Sequence, residues 1–165
     1  MTMKYYSTNK TAPKASLEEA VIHGLAPDRG LYMPEVIQKL PAEFFQQLDK
    51  LSLQEIAFTV ANSLFGKDIE ADVLHTIIQE TFSFDIPAVE VEHNIYSLEL
   101  FHGPTLAFKD VGARFMARLL QYFIRKDQTE TVSAPHRVNV LVATSGDTGS
   151  AVANGFLGVD GIHVY

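Results

Sequence analysis

An α/β fold that opens with a small, mainly helical N-terminal domain is predicted by three features of the sequence. Residues 16–81 hold two helix capping boxes and two stretches of apolar residues at helical spacing. Period-two alternation of β-forming residues begins only after Pro87. From there strand-like and helix-like segments alternate, as they do in parallel sheets covered by helices. The reading is therefore a helical domain over residues 1–90 and, over residues 91–165, the beginning of a parallel-sheet three-layer α/β domain. The final Ile162-His-Val-Tyr165 resembles the start of a central strand, so the second domain is expected to be incomplete and the chain truncated.

The first element is a helix opened by Ser16-Leu-Glu-Glu19, where Ser16 and Glu19 can satisfy each other's backbone amides, and stopped by Gly24. Pro27-Asp-Arg-Gly30 is a turn sequence, with Pro at a fixed φ and Gly available for positive φ; it leads into Leu31-Tyr-Met33, closed by Pro34. A second box, Ser52-Leu-Gln-Glu55, starts a helix with Leu53, Ile56, Ala57, Val60, Ala61 and Leu64 on one face and Gly66 at its end. Val73, Leu74, Ile77 and Ile78 predict another helix from about Ala71 to Thr81. Core packing accounts for all of these apolar faces.

Strands are expected at Val89–Val91 and at Ile95–Leu100. Between Lys109 and about Arg125, Val111, Phe115, Met116, Leu119, Leu120 and Phe123 return to helical spacing. Asp110 near the start and Arg125-Lys126 at the end suit that helix's dipole. A polar segment with Pro135 follows, then Val138–Ala143, an apolar run typical of a strand buried on both faces. Ser150–Leu157 is small and apolar enough for a helix packed closely on a sheet, and Gly158-Val-Asp-Gly161 turns the chain into the last strand.

Composition narrows the function classes. With 165 residues, 47% hydrophobic and 20% charged, the chain matches a soluble globular protein. Its net charge of -7 repels nucleic acid and anionic lipid surfaces. The absence of cysteine removes disulfides, thiolate zinc sites and thiol nucleophiles, and the six histidines lack metal-ligand spacing, so no metal is expected. No stretch approaches the roughly 20 apolar residues of a membrane span and no signal peptide is visible, which reads as cytoplasmic.

Two segments carry chemistry. Lys109 follows His102-Gly-Pro-Thr-Leu-Ala-Phe and stands at a helix start, where the helix dipole and apolar surroundings both favour the uncharged amine that attacks an aldehyde. A lysine that snorkels to solvent is the plain alternative. Thr144-Ser-Gly-Asp-Thr-Gly149 lies between a strand and a helix, where free amides and the hydroxyls of Ser145 and Thr148 suit a carboxylate or phosphate. It is neither a Walker A nor a dinucleotide-binding sequence. Asp147-Thr-Gly-Ser150 is also the order in which aspartic proteases present a catalytic aspartate, but that chemistry needs a second such carboxylate in an all-β frame.

Together the two segments resemble the tryptophan-synthase-β class of fold-type II pyridoxal-phosphate enzymes. Glu99 and Thr105-Leu-Ala-Phe-Lys109-Asp-Val-Gly-Ala113 are similar to the lysine signature shared by serine/threonine dehydratases and threonine synthases. Ala20 to Leu25, Gly30-Leu-Tyr-Met-Pro34 and Leu100–Asp110 resemble the threonine synthase family in particular, and the likeness runs from about Met3 to Tyr165. The resemblance implies conversion of O-phospho-L-homoserine and water to L-threonine and phosphate, in a monomer or weak dimer with no nucleic-acid or membrane partner. It implies that Lys109 holds pyridoxal 5'-phosphate as a Schiff base and shuttles protons. Phe108 and Asp147 would sit at the cofactor, and Thr105, Ser145, Gly146, Asp147 and Thr148 would bind substrate.

Asp147 stands where many relatives of the wider class have Asn, and the later glycine-rich loop that cups the cofactor phosphate is absent from this sequence. His102 would contact the substrate phosphate or bond to backbone; Arg114 and Arg118 would bind phosphate or, preferably, form a solvated face. The alternatives are another fold-type II enzyme, such as a serine/threonine dehydratase, or a catalytically silent fragment. The 165 residues alone are expected to be inactive and to retain the cofactor weakly.

Overall fold

The structure, a computed structural model, describes residues 2–130 and 138–165, the side chains of 127–130 excepted; the segment around Pro135 and His136 lies outside the described residues. The chain divides into two compact units, Met1–Ile78 and Gln79–Tyr165.

In the first unit, β1 (Tyr5–Ser7) pairs antiparallel with β2 (Tyr32–Pro34), Tyr5 opposite Pro34 and Ser7 opposite Tyr32. The sequence did not announce β1, whose three residues are too few for a pattern. Tyr5 and Ser7 face inward on it. Burial, and secondarily the negative charge of Asp68, push the Tyr5 phenol up to about 12. Helix α1 (Leu17–His23) opens with the complete Ser16/Glu19 capping box and ends at Gly24, whose φ of 71° costs little only for glycine.

The turn at 27–30 differs from expectation. The positive φ falls on Arg29, at 66°. Gly30 serves a different purpose, since a Cβ there would stand 2.0 Å from Ser7 Oγ. Asp28 is the hub of this region. Its carboxylate accepts the Ser7 hydroxyl at 2.5 Å, the Thr11 amide and hydroxyl, and the amides of Ala12 and Gly30. The Ser7 bond first, then the amides of Gly30, Ala12 and Thr11, hold that carboxyl well below the usual carboxylate range.

A short helix α2 (Ala42–Gln46) and a 3-10 turn (Leu48–Lys50) follow, neither signalled by a periodic pattern. The second capping box starts α3 (Leu53–Phe65) as expected, and α4 spans Ala71–Thr81 with Leu74, Ile77 and Ile78 buried.

Among the described residues the second unit contains two separate two-stranded sheets. β3 (Ala88–Glu92) and β4 (Ile95–Leu98) form an antiparallel hairpin rather than members of the parallel sheet, because Asn94, at φ 60°, turns the chain straight back. Helix α5 runs Asp110–Glu130, past the Arg125-Lys126 pair expected at its end. Parallel pairing appears between β5 (Val138–Val140) and β6 (Ile162–Val164), joined by α6 (Asp147–Phe156) in a β-α-β unit. Among the described residues β5 pairs with β6 alone, so its expected burial on both faces is not realised: Leu141 is 80% exposed. Among the same residues no helix is long and apolar enough to cross a membrane. The molecule is thus mixed α/β with small sheets.

Helix α6 packs on α5 as well as bridging the two strands. A Cβ on Gly155 would lie 3.0–3.2 Å from the backbone and Cβ of Ala113, so the two helices meet at a pair of small residues. Phe123 and Ala151 are buried on these helices.

Candidate functional site

The segment before α5 is built around Asp110. Its carboxylate is 1% exposed; Oδ2 accepts the Thr105 amide at 2.9 Å and Oδ1 the Thr105 hydroxyl at 2.6 Å. The Asp110 amide donates to Ala107 O at 3.0 Å, and Ala113 N donates to Lys109 O at 2.9 Å to start the helix. Gly103 lies against this knot, where a Cβ would be 2.5 Å from Asp110 Oδ2 and 2.9 Å from Phe84 Cζ. The loop holds Leu106 at φ 58°, a left-handed conformation that costs roughly 1–2 kcal/mol for a residue with a Cβ. Such strain persists where surrounding contacts over-determine the backbone.

Lys109 stands at the base of α5, half-buried. Its Nζ lies 3.9 Å from the centre of the Phe108 ring. Phe108 is itself exposed, so this cation–π contact contributes only about 0.5–1 kcal/mol. Among the described residues no carboxylate pairs with the amine, because Asp110 points back to Thr105.

Thr144–Gly149 forms the entrance to α6. Thr144 Oγ1 accepts the Gly146 amide at 3.0 Å and the Gly149 amide at 3.3 Å, and Ser150 N donates to Gly146 O at 2.8 Å. Gly146 caps the helix at φ 137°, which requires glycine. Ser145 and Asp147 are exposed and Thr148 is half-buried; among the described residues their side chains make no hydrogen bond. An anion arriving here meets unused hydroxyls at the positive end of a ten-residue helix.

The structure therefore brings Phe108 to Lys109 and Thr105 to Asp110, and it gathers Ser145, Gly146, Asp147 and Thr148 in one turn. No hydrogen bond joins Lys109 to that turn among the described residues. Two roles were missed in the sequence: that of Thr144, which organises the turn, and that of Asp110, read there as a dipole partner and the carboxylate beside Lys109 and not as the acceptor for Thr105. A hydroxyl directly before Ser-Gly and a Thr five residues before an Asp were the available signals.

Three further residues have partners that the sequence did not indicate. His102 Nε2 meets the Glu99 carboxylate at 2.6 Å, not backbone. Arg114 donates to Glu80 O and, at 2.9 Å, to Ser83 Oγ, while Arg118 pairs with the Glu80 carboxylate. Both guanidinium groups fasten α5 to residues 80–83, so each already has a protein partner on this half-exposed face.

Comparison with known proteins adds an independent line. The family described as "Threonine synthase N terminus" matches residues 4–82. The chain is similar to the threonine synthase of Haemophilus influenzae, 39% identical over 98% of this chain and 36% of the relative. It is 34% identical to that of Escherichia coli, over the same shares of the two chains. Among solved structures, a PLP-bound threonine synthase from Brucella melitensis superposes with a TM-score of 0.89 at 36% identity, covering 99% of this chain and 35% of that one. Yeast threonine synthase gives 0.88 at 35% identity, over 99% and 35%. The chain spans about a third of the length of these relatives.

Proposed function

Because the chain carries the N-terminal region of the threonine synthase family, we propose that it serves a pyridoxal-phosphate enzyme converting O-phospho-L-homoserine and water to L-threonine and phosphate. The observation that carries this reading is the amine of Lys109, half-buried at the start of α5 and without a carboxylate partner among the described residues. In that state it is suited to forming a covalent bond to an aldehyde. Identities of 34–39% over nearly the whole chain support the same reaction.

Residues 1–90 would form the family's N-terminal domain and residues 91–165 the opening of a three-layer catalytic domain. Pyridoxal 5'-phosphate, when bound, supplies an electron sink for reactions at the substrate's α and β carbons. The residues present fit it. Lys109 would hold it covalently and, as a free amine, accept and return protons at Cα and Cβ. Phe108 offers a ring beside the amine, and Asp147, exposed and unpaired at the α6 entrance, would face the cofactor. Ser145, Gly146, Asp147 and Thr148 would seat the substrate carboxylate at the helix N-terminus, the unused hydroxyls of Ser145 and Thr148 donating while Gly146, its amide held by Thr144, shapes the turn. Thr105 would shape the wall near the amine. A cytoplasmic enzyme with a small-molecule substrate, monomeric or weakly dimeric, fits this role. The 165 residues alone would turn over little or no substrate, since they span about a third of the relatives.

Incubation with pyridoxal 5'-phosphate, borohydride reduction and peptide mass spectrometry tests the assignment. The expected label is on Lys109, lost in Lys109→Ala. An unlabelled Lys109 in the full-length protein carrying this region would refute it. Phosphate release from O-phospho-L-homoserine, with no reaction of L-threonine, separates the synthase from a dehydratase.

A further inference from the structure

The carboxylate next to Lys109 in the chain does not pair with it. Asp110 is 1% exposed and both of its oxygens are engaged by Thr105, at 2.9 and 2.6 Å. Gly103 leaves the space that this arrangement needs, because a Cβ there would stand 2.5 Å from Oδ2. The five-residue bridge from Thr105 to Asp110 encloses the left-handed Leu106 and ends beside the lysine, so its hydrogen bonds set where the lysine's backbone begins. Among the described residues the amine lies over the Phe108 ring and makes no ion pair.

A carboxylate near an amine favours the ammonium form, and the ammonium cannot attack an aldehyde. Turning Asp110 inward removes that partner while keeping the acidic residue where it favours the helix N-terminus. We infer that Thr105 and Asp110 are a positioning pair: by locking the carboxylate into the protein beside Gly103, they fix the Lys109 loop and keep its amine unpaired for reaction with an aldehyde. The inference rests on the assignment of Lys109 as the cofactor lysine.

The test uses pyridoxal 5'-phosphate as probe. Borohydride trapping over a time course, read peptide by peptide, gives the labelling rate of Lys109 against Lys4, Lys50 and Lys67 in the same molecule. Thr105→Val removes the hydroxyl at constant size and frees Oδ1. By offering the amine a carboxylate partner it should slow Lys109 by about tenfold, and it should leave the reference lysines unchanged. Thr105→Ser should restore the rate, which a general loss of packing would not allow. Gly103→Ala, which removes no hydrogen-bonding group but crowds Oδ2, should slow Lys109 in the same direction. Far-ultraviolet circular dichroism checks that each variant is folded.

Wild-type labelling at Lys109 with unchanged rates in Thr105→Val and Gly103→Ala would overturn the positioning pair alone. A wild-type Lys109 no faster than the reference lysines would overturn both the pair and the assignment beneath it.

Discussion

The contact between α5 and α6 sets how closely the lysine's helix and the helix that follows the Thr144–Gly149 turn approach, and two glycines isolate its energy. Gly112, exposed in the first turn of α5, has open space where a Cβ would go. Gly155 on α6 does not, with Ala113 C, O and Cβ at 3.0, 3.1 and 3.2 Å from that position. Both are helical, so replacing either with Ala reduces the freedom of the unfolded chain by a similar amount, about 0.4–1 kcal/mol in favour of folding. Gly112→Ala should show that gain undiminished. In Gly155→Ala the added methyl meets the backbone of the neighbouring helix, and inserting a methyl into a close-packed contact costs about 1–3 kcal/mol. The entropic gain cancels between the two variants, so their stabilities should differ by about 1–3 kcal/mol, with Gly155→Ala the weaker. Urea unfolding followed by far-ultraviolet circular dichroism measures this. If Gly155→Ala is stabilised as much as Gly112→Ala, the helices do not meet at that residue and the reasoning fails.

Arg114 and Arg118 should separate in the same assay. Arg114→Ala loses charge-assisted bonds to Glu80 O and Ser83 Oγ and should cost about 1.5–3 kcal/mol, whereas Arg118→Ala breaks a half-exposed ion pair worth less than about 1 kcal/mol. Stability should also fall at both pH extremes. The Asp28 carboxyl titrates below its unfolded value of about 3.9, so its contribution is present above that pH and is lost as pH falls through the folded value. Asp28→Asn should flatten this acid limb of a pH–stability profile. Tyr5, raised from 10.0 to about 12, contributes stability below the former value that is lost as pH rises toward the latter, and Tyr5→Phe should remove this alkaline loss.

Helix starts were written locally. At Ser16 and Ser52 a hydroxyl and a carboxylate three residues apart suffice to satisfy each other's amides, and both boxes form as read. Helix α4 matches its apolar spacing over Ala71–Thr81, and Lys109 falls at the base of α5, where the Gly-Pro-Thr loop and the following period put it. All of this depends on neighbours within one turn, which a linear reading can see.

What the tertiary structure decided lies across longer separations. β1 exists because Tyr5–Ser7 finds Tyr32–Pro34, and Asp28 gathers donors from residues 7 to 30; neither pairing has a local pattern. Direction was beyond a linear reading too. Nothing in the order of letters turns Asp110 toward Thr105 rather than Lys109, or Arg114 toward Glu80 rather than solvent. Periodicity reports which residues prefer to leave water, while hydrogen-bond partners depend on which groups the folded backbone brings within about 3 Å. The sequence by itself thus determined the capped and periodic helices, the place of Lys109 and the turn before α6, and only the packed chain decided which partners Asp110, Arg114 and Arg118 take.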